Sequence, residues 1–312
     1  MSSVHIKKGM AMVAIILKAF TLFSIVLLAY LLKRSDTFSG RENFVVVSKI
    51  VMYVTLPAAI IANLNGIQFH ISLLFICLIG FSCNWIYLLV SYLFSRSNDE
   101  RSFLMINING FNIGNFALPF ILYFVQGEPV LYVSLFDAGS SMMVMSGNYL
   151  MAKSVQTGER QEMNLNKTLR QFLSSPAVLA YLSMIILSTL SISLPDLLAE
   201  LAGVIGGANT FLSMFMLGLA LEIHIDRKKV SQIIRILSLR YGTAAVLASL
   251  IYFLLPVDFL IKKILMIILF APVASVAPMF THLLKGDLEL SAQINSLTIV
   301  ISMILISGLL TL

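Results

Sequence analysis

The stretch Asn107-Ile-Asn-Gly-Phe-Asn-Ile-Gly-Asn-Phe-Ala-Leu-Pro119 decides the fold of this 312-residue chain. It lies inside an apolar run long enough to span a membrane, yet it holds four asparagines, two glycines and a proline. In hydrocarbon, irregular backbone survives only where protein or a water-filled cavity satisfies its hydrogen bonds. Broken transmembrane helices of this kind form the solute sites of secondary transporters. The stretch therefore predicts a broken membrane helix that binds a solute.

Composition supports a membrane protein. Hydrophobic residues make up 59% of the chain and charged residues 12%, about half the charged share of a soluble domain. The net charge of +6 lies mostly in short loops between apolar runs, so it does not suggest nucleic acid as a partner. Cys77 and Cys83 fall within one apolar run and offer neither a disulfide framework nor a metal site. We expect no cofactor, and the absence of a Walker motif argues against direct ATP coupling.

Apolar runs of about 20 residues or more predict ten transmembrane helices in an all-α fold, with membrane lipid around them. The predicted spans, numbered one to ten, are 9–32, 44–64, 70–95, 102–126, 129–152, 173–194, 199–223, 238–256, 260–284 and 289–312.

Charge orients these spans. Lysine and arginine are concentrated in loops 33–43, 96–101, 153–172, 224–237 and 285–288, whereas loops 65–69, 127–128, 195–198 and 257–259 contain neither. By the positive-inside rule the basic loops are cytoplasmic. We therefore expect a multi-pass protein of the plasma membrane with both termini outside.

The span count predicts an internal repeat. Five spans in residues 1–152 precede the cytoplasmic linker loop 153–172, and five follow it in residues 173–312. Because each half holds an odd number of spans, the two halves would insert in opposite orientations, as in many transporters.

Matched positions support this inverted repeat. Pro119 in span four is followed by Gly127-Glu128, and Pro278 in span nine is followed by Gly286-Asp287, at the same offsets of eight and nine residues. Both prolines lie in the fourth span of their half, where an inverted repeat requires them.

Span nine is the second predicted break, in Phe270-Ala-Pro-Val-Ala-Ser-Val-Ala-Pro-Met-Phe-Thr-His282. Pro272 and Pro278 each remove a backbone donor and clash with the preceding turn, so the helix should break there. Span four should break around Gly114-Asn115, just before Pro119. If each proline opens a half-helix, two N-termini with about half a positive charge each face the middle of the bilayer.

Two facing helix N-termini would bind a carboxylate. Asn112, Gly114 and Asn115 lie at this level in span four, and Ser275 lies at it in span nine. The alternative is that proline and glycine only kink these helices for packing, as they do in many membrane helices. Two kinks at matched positions, one of them rich in asparagine, favour a substrate site.

Asp137 lies well inside span five, where an ionisable residue is by default a functional candidate. It is predicted to carry a proton, bind a coupling cation such as sodium, or pair with Lys18; alternatively it lies shallower and caps a helix. Lys18 lies near the middle of span one. It is either a buried counter-charge or a lysine that snorkels to the outer surface.

Several motifs together resemble the auxin efflux carrier family, which includes the plant PIN proteins and many bacterial permeases. They are Gly114-Asn-Phe-Ala-Leu-Pro119 with Gly127, Phe136-Asp137, Leu217-Gly-Leu-Ala-Leu221, and Pro272 and Pro278 followed by Gly286-Asp-Leu-Glu-Leu-Ser291. The resemblance covers essentially the whole chain, and the order and spacing of the motifs make it more specific than any one of them.

The resemblance implies a fold of two inverted five-helix repeats. Spans one, two, six and seven would form a scaffold, often a homodimer, and spans three to five and eight to ten a mobile transport unit. Spans four and nine would cross at broken segments near Pro119 and Pro278, and the substrate would move by an elevator mechanism. The implied substrate is a small organic anion, such as a mono- or dicarboxylate. Auxin is not expected, because the chain lacks the long loop of many plant members. Ser275 stands where relatives often have asparagine after the proline of span nine, so the resemblance does not identify the substrate.

Other classes of protein fit the sequence less well. An intramembrane enzyme needs a nucleophile with a base, or paired acids, at one depth, and Asp137 has no such companion in the sequence. A membrane sensor without transport would need an output domain. A carrier with the architecture of the bile-acid/sodium symporters, moving another solute, is the nearest alternative.

Overall fold

The computed structural model describes residues 2–35, 38, 40–159, 165–222 and 226–311, and this part of the chain is helical with no strand. Parts of three predicted cytoplasmic loops, residues 36–37, 39, 160–164 and 223–225, lie outside this description, as do Met1 and Leu312. The α-helices are α1 (Ser2–Leu32), α2 (Arg41–Ile50), α3 (Leu56–Leu64), α4 (Phe75–Leu93), α5 (Asn98–Asn107), α6 (Leu118–Leu122), α7 (Glu128–Met142), α8 (Asn148–Thr157), α9 (Leu165–Leu173), α10 (Pro176–Thr189), α11 (Asp196–Gly207), α12 (Asn209–Ala220), α13 (Val230–Leu254), α14 (Phe259–Leu269), α15 (Ala277–Leu283) and α16 (Leu288–Leu310). The all-α prediction is confirmed for the described residues.

Seven helical segments in the described part of the chain are long and apolar enough to span a membrane, and they identify a polytopic membrane protein. They are Val13–Leu32, Glu42–Leu64, Ile71–Leu93, Glu128–Thr157, Asp196–Ala220, Arg227–Leu254 and Leu288–Leu310. The regions predicted as spans four, six and nine contain shorter helices, α5 with α6, α10, and α14 with α15. The count of ten spans and the inverted repeat stay predictions.

Two single-turn π-helices precede prolines in the same register. Val51–Thr55 joins α2 to α3, and Ile113–Ala117 leads into α6. In each case the second residue after the π-turn is a proline, Pro57 or Pro119. Proline donates no hydrogen bond and clashes with the preceding turn. A widened turn accommodates that clash without ending the helix.

Backbone contacts at glycine hold two helix pairs together. A Cβ atom on Gly139 of α7 would lie 1.9 Å from the carbonyl oxygen of Cys77 in α4, and one on Gly218 of α12 would lie 2.3 Å from that of Val26 in α1. Any side chain at these positions would collide with backbone. Small residues serve this purpose in membrane helix packing, where close van der Waals contact drives association.

The predicted linker loop 153–172 contains helical residues at both of its ends. Helix α8 continues to Thr157, and α9 occupies Leu165–Leu173. In α9 the apolar residues recur at helical spacing among polar ones, which is typical of a helix that lies in the membrane interface. A short amphipathic helix in a polar loop gives too weak an apolar run for the criterion that located the spans.

Ion pairs attach α13 and its N-cap residue, Lys229, to the starts of two other helices. The Arg235 guanidinium pairs with Glu100 at the start of α5. The Lys229 ammonium lies 2.7 Å from the Asp287 carboxylate and 3.3 Å from that of Glu289, at the start of α16. Both α5 and α16 therefore have a charged contact with the same helix.

These contacts lower the pKa of the Glu100 and Asp287 carboxyls. Partial burial acts to raise the pKa of Glu100 and of Asp287, but a hydrogen bond from a backbone N–H group and the paired cation together outweigh it. The pKa of each carboxyl therefore lies below its ordinary value, and both groups are ionised at neutral pH.

Candidate substrate site at the helix crossing

The first break lies a few residues earlier than the sequence indicates. Helix α5 ends at Asn107, residues 108–112 are irregular, and the π-turn begins at Ile113. The expected break at Gly114-Asn115 is wrong because these two residues lie inside the π-turn. The helical segment that follows the break therefore starts six residues before Pro119, which is the second residue of α6.

Gly110 gives the first break its shape. Its φ of +75° lies in the left-handed region, which strongly favours glycine. A Cβ atom there would also lie 3.2 Å from the Ala274 side chain and 3.3 Å from that of Val144. The chain can turn at this point and approach the second break because residue 110 has no side chain.

The second break matches the prediction from its prolines. Helix α14 ends at Leu269, residues 270–276 are irregular, and α15 begins at Ala277 with Pro278 as its second residue. Pro272 is buried in the middle of the break, and Pro278 is partly exposed. Position two of a helix suits proline because its missing N–H would have no intrahelical acceptor.

The structure brings the two breaks into direct contact. The backbone N–H of Asn112 donates a hydrogen bond of 2.9 Å to the carbonyl of Pro272. The Asn112 amide nitrogen is buried and has no hydrogen-bond partner among the described residues. Two residues singled out from the sequence, in spans four and nine, therefore meet at one point.

Arg240 of α13 bridges the two breaks and is a residue that the sequence did not single out. Its guanidinium donates hydrogen bonds of 2.6 Å to the Ile108 carbonyl and 2.5 Å to the Ala271 carbonyl. Its carbon Cζ lies 5.6 Å from the ring centroids of both Tyr87 and Phe111. The side chain is fully buried, and no carboxylate in the described part of the chain forms an ion pair with it.

The hydrogen bonds of Arg240 place its positive charge beside the C-terminal ends of two helices. Ile108 directly follows α5, and Ala271 lies two residues beyond the end of α14. Each helix C-terminus carries about half a negative charge on its unpaired carbonyls. One buried cation thus compensates both carbonyl ends. The sequence signal was a lone arginine at the edge of span eight, and membrane-depth arginine is by default a functional candidate.

Amide side chains organise the first break. The Asn109 amide nitrogen donates to the Asn84 carbonyl at 3.1 Å and to the Asn148 side-chain oxygen at 3.0 Å. Its own side-chain oxygen accepts the Gly110 N–H at 2.7 Å. Asn84 also donates to the Ser140 hydroxyl at 3.0 Å. These bonds connect the break to α4, α7 and α8.

Helix α16 organises the second break. The Asn295 amide nitrogen donates to the carbonyls of Val273 and Ala274, each at 3.3 Å. The Thr298 hydroxyl oxygen accepts the Val273 N–H at 3.3 Å. Asn295 and Thr298 were missed although they lie among other polar residues of span ten, Ser291, Gln293 and Ser296, because no proline or glycine interrupts this run to mark it as a site.

Asp137 lies beside the first break. A Cβ atom on Gly114 would be 4.0 Å from its Oδ2 atom. The Tyr181 hydroxyl of α10 donates to Oδ2 and the Ser141 hydroxyl donates to Oδ1, each at 3.2 Å. Asp137 is the tenth residue of α7, so it does not cap a helix. The interpretation of Asp137 as a helix cap is therefore wrong.

Lys18 is not the partner of Asp137. Its ammonium donates to the Tyr123 carbonyl at 3.2 Å, and its side chain is exposed on the protein surface. Of the two interpretations of Lys18, the buried counter-charge is wrong and the exposed lysine fits.

The remaining predicted site residues differ in exposure. Asn115 and Gly114 are partly exposed, Pro119 is buried, and Ser275 is exposed. The Pro119 carbonyl accepts a hydrogen bond of 3.1 Å from the Thr210 hydroxyl of α12. Contact with α12 thus lies about two helical turns beyond the first break.

The fold and the crossing together define a class. Membrane-length helices surround two broken helices that meet at a buried polar point, which is the construction of a solute transporter. The family model described as "Membrane transport protein" matches residues 14–310 of the chain. The chain belongs to this family, the auxin efflux carrier or PIN-like family. It is therefore a membrane transporter. A comparison with curated proteins finds no match.

Proposed function

We propose that the chain is a secondary carrier that binds a small organic anion, such as a mono- or dicarboxylate, at the crossing of the two breaks. The hydrogen bond between Asn112 N–H and the Pro272 carbonyl carries the proposal, because it brings both irregular segments to one buried place. The residues proposed to contact substrate are Asn112, Gly114, Asn115, Pro119, Pro272, Ser275 and Pro278. We expect no enzymatic activity.

Electrostatics favours an anion there. The guanidinium of Arg240 compensates the carbonyl ends of α5 and α14, so those ends leave little negative potential. The helical segment Ile113–Leu122 begins on the other side of the first break, and its N-terminus carries partial positive charge with unpaired N–H donors. The buried Asn112 amide nitrogen adds a donor without a described partner. A carboxylate would satisfy these groups.

Asp137 would couple anion binding to a cation. Its carboxylate lies beside Gly114, at the start of the same helical segment. An ionised Asp137 opposes a second negative charge nearby, whereas a bound proton or sodium ion removes that opposition. Cation and anion would then bind cooperatively, which is the thermodynamic requirement for symport. Sodium and proton coupling both stay open.

The helix contacts support an elevator mechanism. In the proposed division the scaffold contains α1, α2 with α3, α10, and α11 with α12, and the transport unit contains α4 to α8 and α13 to α16. Glycine brings backbones into contact within each unit, at Gly139 in one and Gly218 in the other. Between the units run single hydrogen bonds, among them Tyr181 to Asp137, Thr210 to the Pro119 carbonyl and Lys18 to the Tyr123 carbonyl. Single bonds of this kind can be exchanged as one unit slides.

Within this proposal the ten spans form two inverted repeats, residues 1–152 and 173–312, joined by 153–172. The protein would lie in the plasma membrane with both termini outside, and the scaffold would offer a surface for a homodimer. Cysteine accessibility on the two sides of sealed cells or vesicles tests this orientation directly.

Thermal unfolding of the detergent-purified protein tests the substrate class. A panel of mono- and dicarboxylates is added, each with and without sodium. A ligand at about 100 times its dissociation constant stabilises the folded state by roughly 2.7 kcal/mol. We expect one carboxylate to raise the unfolding temperature, and Asn112→Ala and Asn115→Ala each to reduce that rise by about half or more, since a tenfold weaker site keeps only about half of the stabilisation at the same ligand concentration.

Asn63→Ala is the matched control. Its amide nitrogen donates to the Ala59 carbonyl within α3, at 2.8 Å, and it touches neither break. The control should respond to the carboxylate as the unchanged protein does. If no carboxylate shifts the transition, the anion assignment is wrong; if the shift is undiminished in both crossing variants, the site is wrong.

A further inference from the structure

Two lysines line a narrow cleft on the side of the molecule away from the basic loops. Lys18 of α1 and Lys263 of α14 face a cleft of 190 Å³. Its other walls are mainly apolar and come from α1, α14, α16 and the residues after α6, among them Ile15, Val125 and Ile264. The proposed transport mechanism does not use either lysine.

Both ammonium groups keep unused donors. Lys18 Nζ donates to the Tyr123 carbonyl at 3.2 Å, and Lys263 Nζ donates to the Leu310 carbonyl at 3.1 Å. A lysine ammonium has three donors, so each retains capacity after its carbonyl bond. No carboxylate in the described part of the chain pairs with either lysine. Two cations therefore flank an apolar cleft without an anion.

The cleft opens on a surface that faces lipid. The neighbouring α1 side chains Leu17 and Phe20 are 62% and 68% exposed, and Leu260 of α14 is 42% exposed. Lys18 is the sixth residue of the membrane-length segment Val13–Leu32, and Lys263 is the fifth residue of α14. At about 1.5 Å per residue, both ammonium groups lie within reach of the headgroup region by snorkelling.

We propose that this cleft, which we call the Lys18/Lys263 cleft, binds an anionic phospholipid, with the phosphate on the two ammonium groups and an acyl chain on the apolar walls. A lipid with a net negative charge is favoured because a zwitterionic headgroup has no net charge to neutralise the two ammonium groups. The apolar walls and the exposed apolar neighbours favour a lipid over a free inorganic anion. The bound lipid would touch α1, α14 and α16 together.

Native mass spectrometry of the full-length protein measures this binding. Phosphatidylglycerol and phosphatidylcholine with the same acyl chains are titrated separately into the detergent-purified protein. The test variant is Lys18→Gln with Lys263→Gln, since glutamine keeps a donor for the carbonyl and removes the charge. The control is Lys33→Gln with Lys262→Gln. These lysines also donate to backbone carbonyls, those of Leu221 and Tyr252, but do not line the cleft.

We expect the unchanged protein and the control to prefer phosphatidylglycerol by up to roughly thirtyfold, since each lysine near an anionic headgroup strengthens binding about fivefold. The test variant should lose that preference, and each single substitution should lose about fivefold, which keeps the test usable if the double variant does not fold. An excess of inorganic phosphate should not displace the lipid. An undiminished preference in the test variant, an equal loss in the control, or displacement by phosphate would overturn the proposal.

Discussion

The two breaks that meet at the crossing are built from opposite chemistry. The first, residues 108–112, supplies its own polar side chains, and its shape depends on the left-handed Gly110. The second, residues 270–276, consists mainly of proline, alanine and valine, and other segments satisfy it. Arg240 bonds the Ala271 carbonyl, the Asn112 N–H bonds the Pro272 carbonyl, and Asn295 bonds those of Val273 and Ala274.

Because of this difference, we expect the two breaks to have separate roles. Four successive carbonyls of the second break accept hydrogen bonds from the protein, so that segment is structurally satisfied. The first break keeps a buried amide nitrogen, on Asn112, without a described partner. Substitutions in the first break should therefore affect binding, and those that support the second should affect stability. Arg240, which bonds both breaks, should affect both.

The largest effect is expected for Arg240→Met. It removes the donors to the Ile108 and Ala271 carbonyls, and leaving two buried carbonyls unpaired should lower the free energy of unfolding by about 2–5 kcal/mol. Transport should be lost, because both breaks lose the guanidinium that bridges them. Thermal unfolding and uptake into liposomes measure the two effects. Arg240→Lys keeps the charge but has no guanidinium fork to reach both carbonyls. Its stability should lie between that of Arg240→Met and that of the unchanged protein. If Arg240→Met were as stable as the unchanged protein, Arg240 would not be the residue that bridges the breaks.

Gly110→Ala should be the next most damaging change. The left-handed conformation of a residue with a side chain and the contacts of its Cβ with Ala274 and Val144 should lower stability by about 1–3 kcal/mol. Gly114→Ala is the matched control within the same stretch. Gly114 lies in the helical region of backbone space, and its Cβ would meet the flexible end of Leu56 at 3.3 Å. Equal losses in the two variants would show that the left-handed turn does not shape the first break.

Two variants, Asn112→Ala and Asn295→Ala, distinguish anion binding at the first break from structural support of the second break. Asn112→Ala should weaken anion binding about tenfold or more, because a hydrogen bond to a charged group contributes about 1.5–3 kcal/mol. Its stability without ligand should change little, since the amide nitrogen has no described partner. Asn295→Ala should lower stability by about 1–2 kcal/mol through the Val273 and Ala274 carbonyls. Ligand titration and unfolding of both variants measure this contrast, and the reverse pattern would disprove the division of roles.

Ser275→Ala should have almost no effect on stability, within about 0.5 kcal/mol, because the side chain is exposed. A small change in transport alone would keep Ser275 as a substrate contact. A change in neither property would remove it from the site, and the second break would then contribute only backbone.

A further small effect, which depends on pH, concerns the two acidic residues near the basic loops, Glu100 before the first break and Asp287 after the second. Glu100 and Asp287 have lowered pKa values in the folded protein, so their ion pairs stabilise it above the ordinary carboxyl pKa, about 4. That stabilisation is lost as pH falls through the lowered pKa, and lowering the pH from 7 to 5 should leave it intact. Each exposed pair should contribute at most about 1 kcal/mol. Unfolding of Glu100→Gln and Asp287→Asn between pH 3 and 7 measures it.

The sequence predicted the polar chemistry of the breaks better than their positions. Proline, glycine and asparagine in an apolar run required irregular backbone, and both breaks are present. The first was placed at Gly114-Asn115 because Pro119 was assumed to start the half-helix. The π-turn at Ile113–Ala117 absorbs the steric effect of the proline, and no residue pattern marked it.

Contacts between distant segments were the part that could not be predicted. Asp137 was found because a carboxylate is conspicuous inside an apolar run. Arg240 lay at the edge of a basic segment and Asn295 in an ordinary span, so neither stood out. Their roles arise from the approach of α13 and α16 to the breaks, which depends on packing across the whole bundle.

The contact between α4 and α7 determines where a label can report movement of the transport unit. At Gly139 the two backbones touch with no side chain between them, so the helices cannot slide lengthwise without a collision. Whatever displacement α7 undergoes with Asp137, α4 must share. The only two cysteines of the chain, Cys77 and Cys83, both lie on α4. A label attached at the partly exposed Cys77 would therefore report the position of the carboxylate.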